Sequence, residues 1–321
     1  MAENVMFVFP GQGAQYRGMG SDLVKEFAAA RDVYGRASEV LKYDLETLSF
    51  SDPDSQLDLT RFTQPALLTH EVACLEAFRS LSGDGIAPVV LAGHSLGEYT
   101  ALVAAEALQL EQAVDLVRRR GELMGEFGRG SMLATTLGLE AARALADNHY
   151  CGIGGCNLPE QTVIAGEDAD LERLLIDLKE QHPRKRGIPL KTEGAFHTYL
   201  MITAAQQFRH VLQETEFAPA QLPVLSNYTA KPHEADSASI RSRLFFQLFN
   251  PVRWIGSMNS AMDMGVETII EFGGGIGKGE TPDEMRPNLE SIVKKALKWR
   301  DHEAEYRPAI NAATIKIAAQ A

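Results

Sequence analysis

Cysteine is scarce in this chain: Cys74, Cys151 and Cys156 are the only three in 321 residues. Their irregular spacing excludes a disulfide framework, and the lone C-x4-C of Cys151 and Cys156 lacks the second ligand pair that a zinc site needs. They read as buried thiols in a reducing cytoplasm. Long apolar runs are missing too. Even Ala101–Leu110 is interrupted by Glu106 and Gln109, so nothing reaches the roughly 20 residues of a membrane span. The N-terminal Met1-Ala2-Glu3-Asn4-Val5 has no basic stretch ahead of its apolar run, which argues against a secretory signal. Positive charge is in deficit, with 31 Lys and Arg against 43 Asp and Glu for a net charge of −12. That excludes nucleic acid or an anionic membrane as the main partner. An anionic ligand must then meet a local basic cluster: Arg118-Arg119-Arg120, Arg184-Lys185-Arg186, or Lys294-Lys295 with Lys298 and Arg300. The chain has no internal repeat and no low-complexity tract. The run Gly273-Gly274-Gly275-Ile276-Gly277-Lys278-Gly279 is not a phosphate loop either, because G-x-x-x-x-G-K needs glycine at Phe272 and Ser or Thr at Gly279.

What is present is the composition of a globular protein, 45% hydrophobic and 23% charged, long enough for a large core and about two domains. The apolar run from Val5 stops at Pro10-Gly11-Gln12-Gly13-Ala14-Gln15, where proline and two glycines force a turn. Helical patterns follow over Gly20–Tyr34 and Pro65–Leu81, the second with its proline in the first turn. Val89-Val90-Leu91-Ala92 is the next strand, and Glu98–Leu108 and Leu110–Phe127 are helices. Strands alternating with helices predict an α/β domain with a parallel sheet. The pattern changes near residue 130. Met132–Leu137, Tyr150–Asn157, Gln161–Ala165 and Gly187–Lys191 read as strands, and Leu139–Asn148 and Asp168–Gln181 as helices. That β-α-β-β-α-β order is the ferredoxin-like unit. It predicts a small domain over residues 130–196, inserted in an α/β-hydrolase-like large domain made of residues 1–129 and 197–321. Beyond the insert, helices over Thr198–Thr215, Ile240–Asn250 and Trp254–Met264 accompany strands over Leu222–Asn227 and Val266–Phe272.

Gly93-His94-Ser95-Leu96-Gly97 lies between a strand and a helix. G-x-S-x-G in that context is a nucleophile elbow, with small residues flanking a serine whose hydroxyl projects from the sheet edge. Amides at the start of the following helix, and its partial positive charge, favour a developing oxyanion at the same point. Such a serine needs a base. His94 is adjacent and its side chain diverges at a sharp turn, so it reads as structural or as a pocket wall. His70, His149, His182, His210 and His302 have no supporting motif. His197, in Gly194-Ala195-Phe196-His197-Thr198, stands where the chain leaves the insert, and a loop at a domain junction commonly lines a cleft.

Together, Pro10-Gly11-Gln12-Gly13, Gly93-His94-Ser95-Leu96-Gly97-Glu98, Arg120-Gly121, Phe196-His197 and Asn250-Pro251-Val252-Arg253-Trp254 resemble the malonyl-CoA:acyl carrier protein transacylases, including the acyltransferases of polyketide synthases. The motifs occur in that family's order across nearly the whole chain. The resemblance implies ping-pong transfer: malonyl-CoA acylates Ser95, and the phosphopantetheine thiol of an acyl carrier protein or carrier domain collects the acyl group. No cofactor besides these substrates is implied. His197 would be the general base and then acid, held by a backbone carbonyl that by position belongs to Asn250, while the N–H groups of Gln12 and Leu96 would form the oxyanion hole. Arg120 would bind the malonyl carboxylate through two parallel hydrogen bonds. Residues alone leave open which of Arg118, Arg119 and Arg120 faces inward; Gly121, as in the family's Arg-Gly pair, favours Arg120. Gln64, in Phe62-Thr63-Gln64-Pro65, matches a pocket glutamine of the family and reads equally well as a polar residue at a helix start. Phe196 resembles the malonyl-selective form of its loop, and Thr198 stands where serine is more usual.

The run Glu271-Phe272-Gly273-Gly274-Gly275 departs from the family's Glu-x-Gly-Pro-Gly and looks closer to freestanding acyltransferases that serve polyketide synthases lacking their own. Housekeeping fatty-acid synthesis and an acyl hydrolase of the same fold are the alternatives. A docking module without activity is opposed by the intact Ser95, His197 and Arg120. An acidic carrier protein would have to meet a basic cluster, with Arg184-Lys185-Arg186 a candidate.

Overall fold

Val5-Met6-Phe7-Val8-Phe9 is apolar at every position because the strand it forms is covered on both faces. The computed structural model describes residues 3–234, 236–279 and 281–320. Its first part runs β1 (Val5–Phe9), α1 (Ser21–Glu26), α2 (Ala28–Leu41), α3 (Leu45–Phe50), α4 (Thr60–Ser82), β2 (Pro88–Gly93), α5 (Gly97–Ala104) and α6 (Leu110–Phe127). The single helix expected over Gly20–Tyr34 is two, because Phe27 is extended (φ −115°, ψ 122°) and packs into the core. Helix α4 starts at Thr60, ahead of Pro65: the amides of Phe62 and Thr63 both bond back to the Leu59 carbonyl at 2.8 Å and carry the helix N-terminal of the proline.

Next come β3 (Ser131–Thr135), α7 (Leu139–Asp147), β4 (Gly152–Leu158), β5 (Gln161–Gly166), α8 (Asp168–Gln181) and β6 (Gly187–Leu190). Their strands form a separate antiparallel sheet of order β4-β5-β3-β6, packed on its own core of Leu133, Leu145, Ile164, Leu174 and Leu178. The chain returns through α9 (Ile202–Glu214), β7 (Val224–Leu225), α10 (Ser237–Gln247), α11 (Trp254–Asp263), β8 (Thr268–Phe272), α12 (Glu290–Trp299), β9 (Glu305–Ala309) and α13 (Ala312–Ala318).

The main sheet is all parallel in the order β7-β2-β1-β8-β9. Strand alternation sends Phe7, Phe9 and Phe272 to one face, where Phe78 of α4 meets Phe7 edge-on at 5.9 Å and Phe272 at 5.2 Å. Met6, Val8 and Ile269 face the opposite side, among residues of α11 and α12. Each fully buried side chain of this kind contributes about 1.5–3 kcal/mol. Strand β9 carries Glu305, Arg307 and Pro308 and has no apolar alternation to announce it; charge and proline suit an edge that must not pair further. Among the described residues, no helix is long and apolar enough to cross a membrane.

Two chain crossings, at 128–130 and 191–196, join the small domain to the large one, and the Ala195 N–H donates to the Arg129 carbonyl between them at 2.7 Å. A second seam forms at β4, where Cys156 N–H donates to Val252 O at 2.8 Å and Val252 N–H to Gly154 O at 3.1 Å. A cleft lies between these seams, at the C-terminal ends of β1 and β2, where open parallel sheets place their ligands.

Candidate active site

The elbow is tight for a steric reason. A Cβ on Gly93 would stand 1.8 Å from the Gly97 carbonyl carbon, and one on Gly97 would stand 2.2 Å from the Phe9 carbonyl oxygen. With both methyls absent, α5 starts directly against the strand ends and Ser95 is held at φ 53°, in the left-handed region that most residues avoid. Asn227, just past β7, staples the turn. Its Oδ1 accepts the Ser95 N–H at 2.6 Å and its Nδ2 donates to the Gly93 carbonyl at 2.6 Å. Asn227's own N–H donates to Glu98 Oε2 at 3.0 Å, and Glu98 Oε1 meets His233 Nε2 at 2.8 Å in full burial. Sequence reading missed Asn227 and His233 as parts of this turn and gave Glu98, quoted in the elbow motif, no role, since only tertiary structure joins the three.

His197 Nε2 lies 2.8 Å from Ser95 Oγ. Its other ring nitrogen, Nδ1, lies 2.7 Å from the backbone carbonyl of Gln247. A carbonyl can only accept, so Nδ1 carries the hydrogen and Nε2 presents its lone pair to the serine. The acceptor expected at Asn250 is therefore three residues too late. Gln247 is the last residue of α10, whose terminal carbonyls lack intrahelical partners, whereas Asn250 turns its Nδ2 back to Phe246 O at 2.9 Å. His197 also has positive φ, 63°. Burial pulls its pKa down to about 3, helped by the Arg120 charge and opposed by the bond to Gln247, so the imidazole is neutral across the physiological range.

Of the three consecutive arginines, two are on the surface. Arg118 pairs with Asp115 at 2.6 Å and Glu122 at 2.7 Å, and Arg119 with Glu214 at 3.1 Å. Arg120 is only 1% exposed and points into the cleft. Gly121 permits this, because a Cβ there would meet the Thr60 carbonyl at 2.7 Å and push α6 off α4. Arg120 Nη1 donates to Gln64 Oε1 at 2.9 Å, and Nη2 donates to Gln247 Oε1 at 3.2 Å and Ser95 Oγ at 3.3 Å; its guanidinium lies over the Tyr99 ring at 5.2 Å. None of these partners is an anion. Glu98, whose charge it feels, is already bonded by Asn227, His233 and Gln247 Nε2. The buried cation thus faces the cleft without a carboxylate of its own, an arrangement that is costly unless a ligand supplies one.

The cleft is a cavity of about 670 Å³ lined by Gln12, Gln64, Ser95, Leu96, Arg120, Phe196 and His197, and also by His94. His94 does diverge from Ser95: its ring turns to Asn157 Oδ1 at 3.0 Å and lies 5.6 Å from Trp254. Gln64 is oriented from behind by Met124, whose sulfur takes its Nε2 at 3.4 Å. Among the described residues, no acceptor is bonded to the backbone amides of Gln12 or Leu96, so both remain available to a bound oxyanion. Gln247 is the other residue that sequence reading missed. Its side chain donates to the Ser95 carbonyl at 2.9 Å and to Glu98 at 2.8 Å while accepting from Arg120, so one residue touches Ser95, Arg120 and His197. A hydroxyl beside a neutral imidazole, two spare amides and an uncompensated guanidinium can carry acyl transfer of a carboxylate-bearing group.

Comparison with known proteins agrees with that chemistry. The model of the acyl transferase domain family matches residues 6–273. The chain is 40% identical over 304 residues to the malonyl CoA-acyl carrier protein transacylase of Bacillus subtilis, covering 92% of both chains. It is 39% identical over 276 residues to the polyketide biosynthesis malonyl CoA-acyl carrier protein transacylase BaeC of Bacillus velezensis, covering 84% of this chain and 93% of that one. The crystal structure of the malonyl CoA-acyl carrier protein transacylase of Clostridium perfringens superposes with a TM-score of 0.88 at 30% identity, over 99% of this chain and 96% of that one.

Proposed function

The chain belongs to the acyl transferase domain family, and from that premise we propose that it moves a malonyl group from malonyl-CoA to the phosphopantetheine thiol of an acyl carrier protein. Arg120 carries this reading: a buried guanidinium without a carboxylate partner, 3.3 Å from Ser95 Oγ, selects an acyl group with a free carboxylate. Ser95 Oγ attacks the thioester carbonyl and gives its proton to His197 Nε2, with the amides of Gln12 and Leu96 receiving the negative oxygen. The C–S bond then breaks, His197 returns the proton to the departing coenzyme A sulfur, and the malonyl group stays on Ser95 as an ester. In the second half the carrier thiol loses its proton to His197 and attacks that ester, restoring the Ser95 hydroxyl. Gln64 and Gln247 hold Arg120 in place, Phe196 limits the pocket to an unbranched acyl group, and His94 forms part of its wall. The donor thioester supplies the leaving group and the carrier thiol accepts the acyl group, so this route calls on no further cofactor.

The chain is nearly equally identical to a malonyl CoA-acyl carrier protein transacylase named without a pathway and to one named for polyketide biosynthesis, so the carrier decides between the pathways. The unpaired state of Cys74, Cys151 and Cys156 favours the cytoplasm as the compartment. The test is intact mass spectrometry after malonyl-CoA is added, followed by a carrier protein of each pathway. One malonyl group on Ser95, then on the carrier, is expected. Free malonate as the main product would support a hydrolase instead, and no adduct at all would sink the proposal.

A further inference from the structure

Glu193 lies in the returning crossing between the domains and was singled out by no motif. Its Oε2 accepts the backbone N–H of Thr60 at 2.5 Å, across 133 residues of sequence. Thr60 opens α4, and the helix receives no cap from its own flanking side chain, Leu59. The carboxylate of another domain's strap takes that place. Thr60 is fully buried, and its Oγ1 accepts the side-chain Nε2 of Gln12 at 3.1 Å. A second tether runs alongside: Gln15 takes the Gly13 N–H on its Oε1 at 2.7 Å and donates Nε2 to Asp58 Oδ1 at 2.8 Å. The loop after β1 is therefore strung onto residues 58–60. It needs such tethers, because Gln12 is flanked by glycines and Gly13 stands at φ 104°.

We infer that Glu193 is a positioning residue for the oxyanion hole, acting through Thr60 on Gln12. When the returning strap is seated, Glu193 fixes the first turn of α4, Thr60 holds the Gln12 side chain, and the Gln12 amide is aimed into the cleft beside Ser95. A helix cap alone would not require the capped residue to spend its hydroxyl on the glycine-rich loop. The inference rests on the reading of Gln12 as an oxyanion donor.

The test is single-turnover acylation of Ser95 by malonyl-CoA, with melting temperatures measured alongside, in the full chain and in Glu193→Ala, Glu193→Gln, Thr60→Val and the Ala/Val double variant. Glu193→Ala and Thr60→Val should each slow acylation about tenfold, less than the hundredfold or more that follows deletion of an oxyanion donor. The KM for malonyl-CoA should stay within about twofold. Because both residues act through one chain of bonds, the double variant should be about as slow as the slower single one. Glu193→Gln, which keeps an acceptor oxygen, should recover part of the loss. Unchanged acylation in Glu193→Ala and Thr60→Val, losses that multiply, or rates that follow melting temperature with no recovery in Glu193→Gln would overturn the inference. A full chain that takes no malonyl group at all would overturn the functional reading on which it rests.

Discussion

His70 and Glu71 of α4 are as thoroughly buried as His197 and Arg120 of the cleft, yet the two regions deal with charge in opposite ways. On α4, burial drives the Glu71 carboxyl well above its usual range, with the charge of Glu271 acting in the same sense and the Thr100 hydroxyl bond against it. Burial also drives His70 down to about 3. Burial thus favours the neutral form of both groups, and neither lines the cleft that holds Arg120. In the cleft, burial likewise disfavours the Arg120 cation, but a guanidinium does not give up its proton in a protein. The charge stays, and a cavity opens beside it. On α4 burial favours the uncharged forms; in the cleft it leaves one charge for a ligand to resolve.

Arg120→Ala is the largest blow to that contrast. Removing one partner of a buried, hydrogen-bonded charge pair costs about 2–5 kcal/mol, so malonyl loading of Ser95 should fall by roughly 30- to 5,000-fold. Loading from acetyl-CoA, which has no carboxylate to bind, should change far less. Equal losses for the two donors would show that Arg120 serves the fold and not the acyl group.

The pH profile comes next. A general base works while neutral and fails below its pKa, so with His197 near 3 the value of kcat/KM should stay level from about pH 8 down to about pH 5. An ordinary histidine would lose activity below about 6.5. Replacing Arg120 with Gln removes a positive neighbour and should move the acidic limb upward, measured with acetyl-CoA. The same depression acts on stability. Unfolded His70 and His197 take up protons below about 6.5 while the folded ones do not until about 3, so stability present above 6.5 is lost as pH falls, by up to about 1.4 kcal/mol per unit for each histidine. Urea unfolding at several pH values reads it directly.

The smallest effect belongs to Glu71→Gln. Burial favours the uncharged carboxyl, and a neutral amide of the same shape replaces it, so the melting temperature should move by no more than about 2 °C. A drop several times larger would mean that Glu71 is ionised and that the contrast between the regions is false.

The strands and helices that build the main sheet and the insert were legible because their apolar runs alternate in length and period, and the elbow was legible because steric crowding at Gly93 and Gly97 leaves a fixed spacing. Ser95 and His197 stood out by context, and the resemblance pointed to Gln12, Leu96 and Arg120. Two kinds of feature escaped. Edge strand β9 carries charge and a proline and is only partly buried, so hydropathy does not mark it. Asn227 and Gln247 look like ordinary polar residues near helix and strand ends, and their work is to bond backbone groups 132 and 152 residues away. The Asn250 expectation failed by one helical turn, since what matters there is which carbonyl is left free where α10 stops.

Those separations also set an order of events during synthesis. The ribosome makes Ser95 early, then the whole small domain, and only afterwards the asparagine that fixes the elbow's amide and the glutamine that steadies its carbonyl. Contacts so distant along the chain form late and slowly, because a long loop must close before they reward it. A nascent polypeptide still tethered to the ribosome therefore carries a serine without its wiring, and the acyl-transfer centre comes into being only as the last third of the protein emerges.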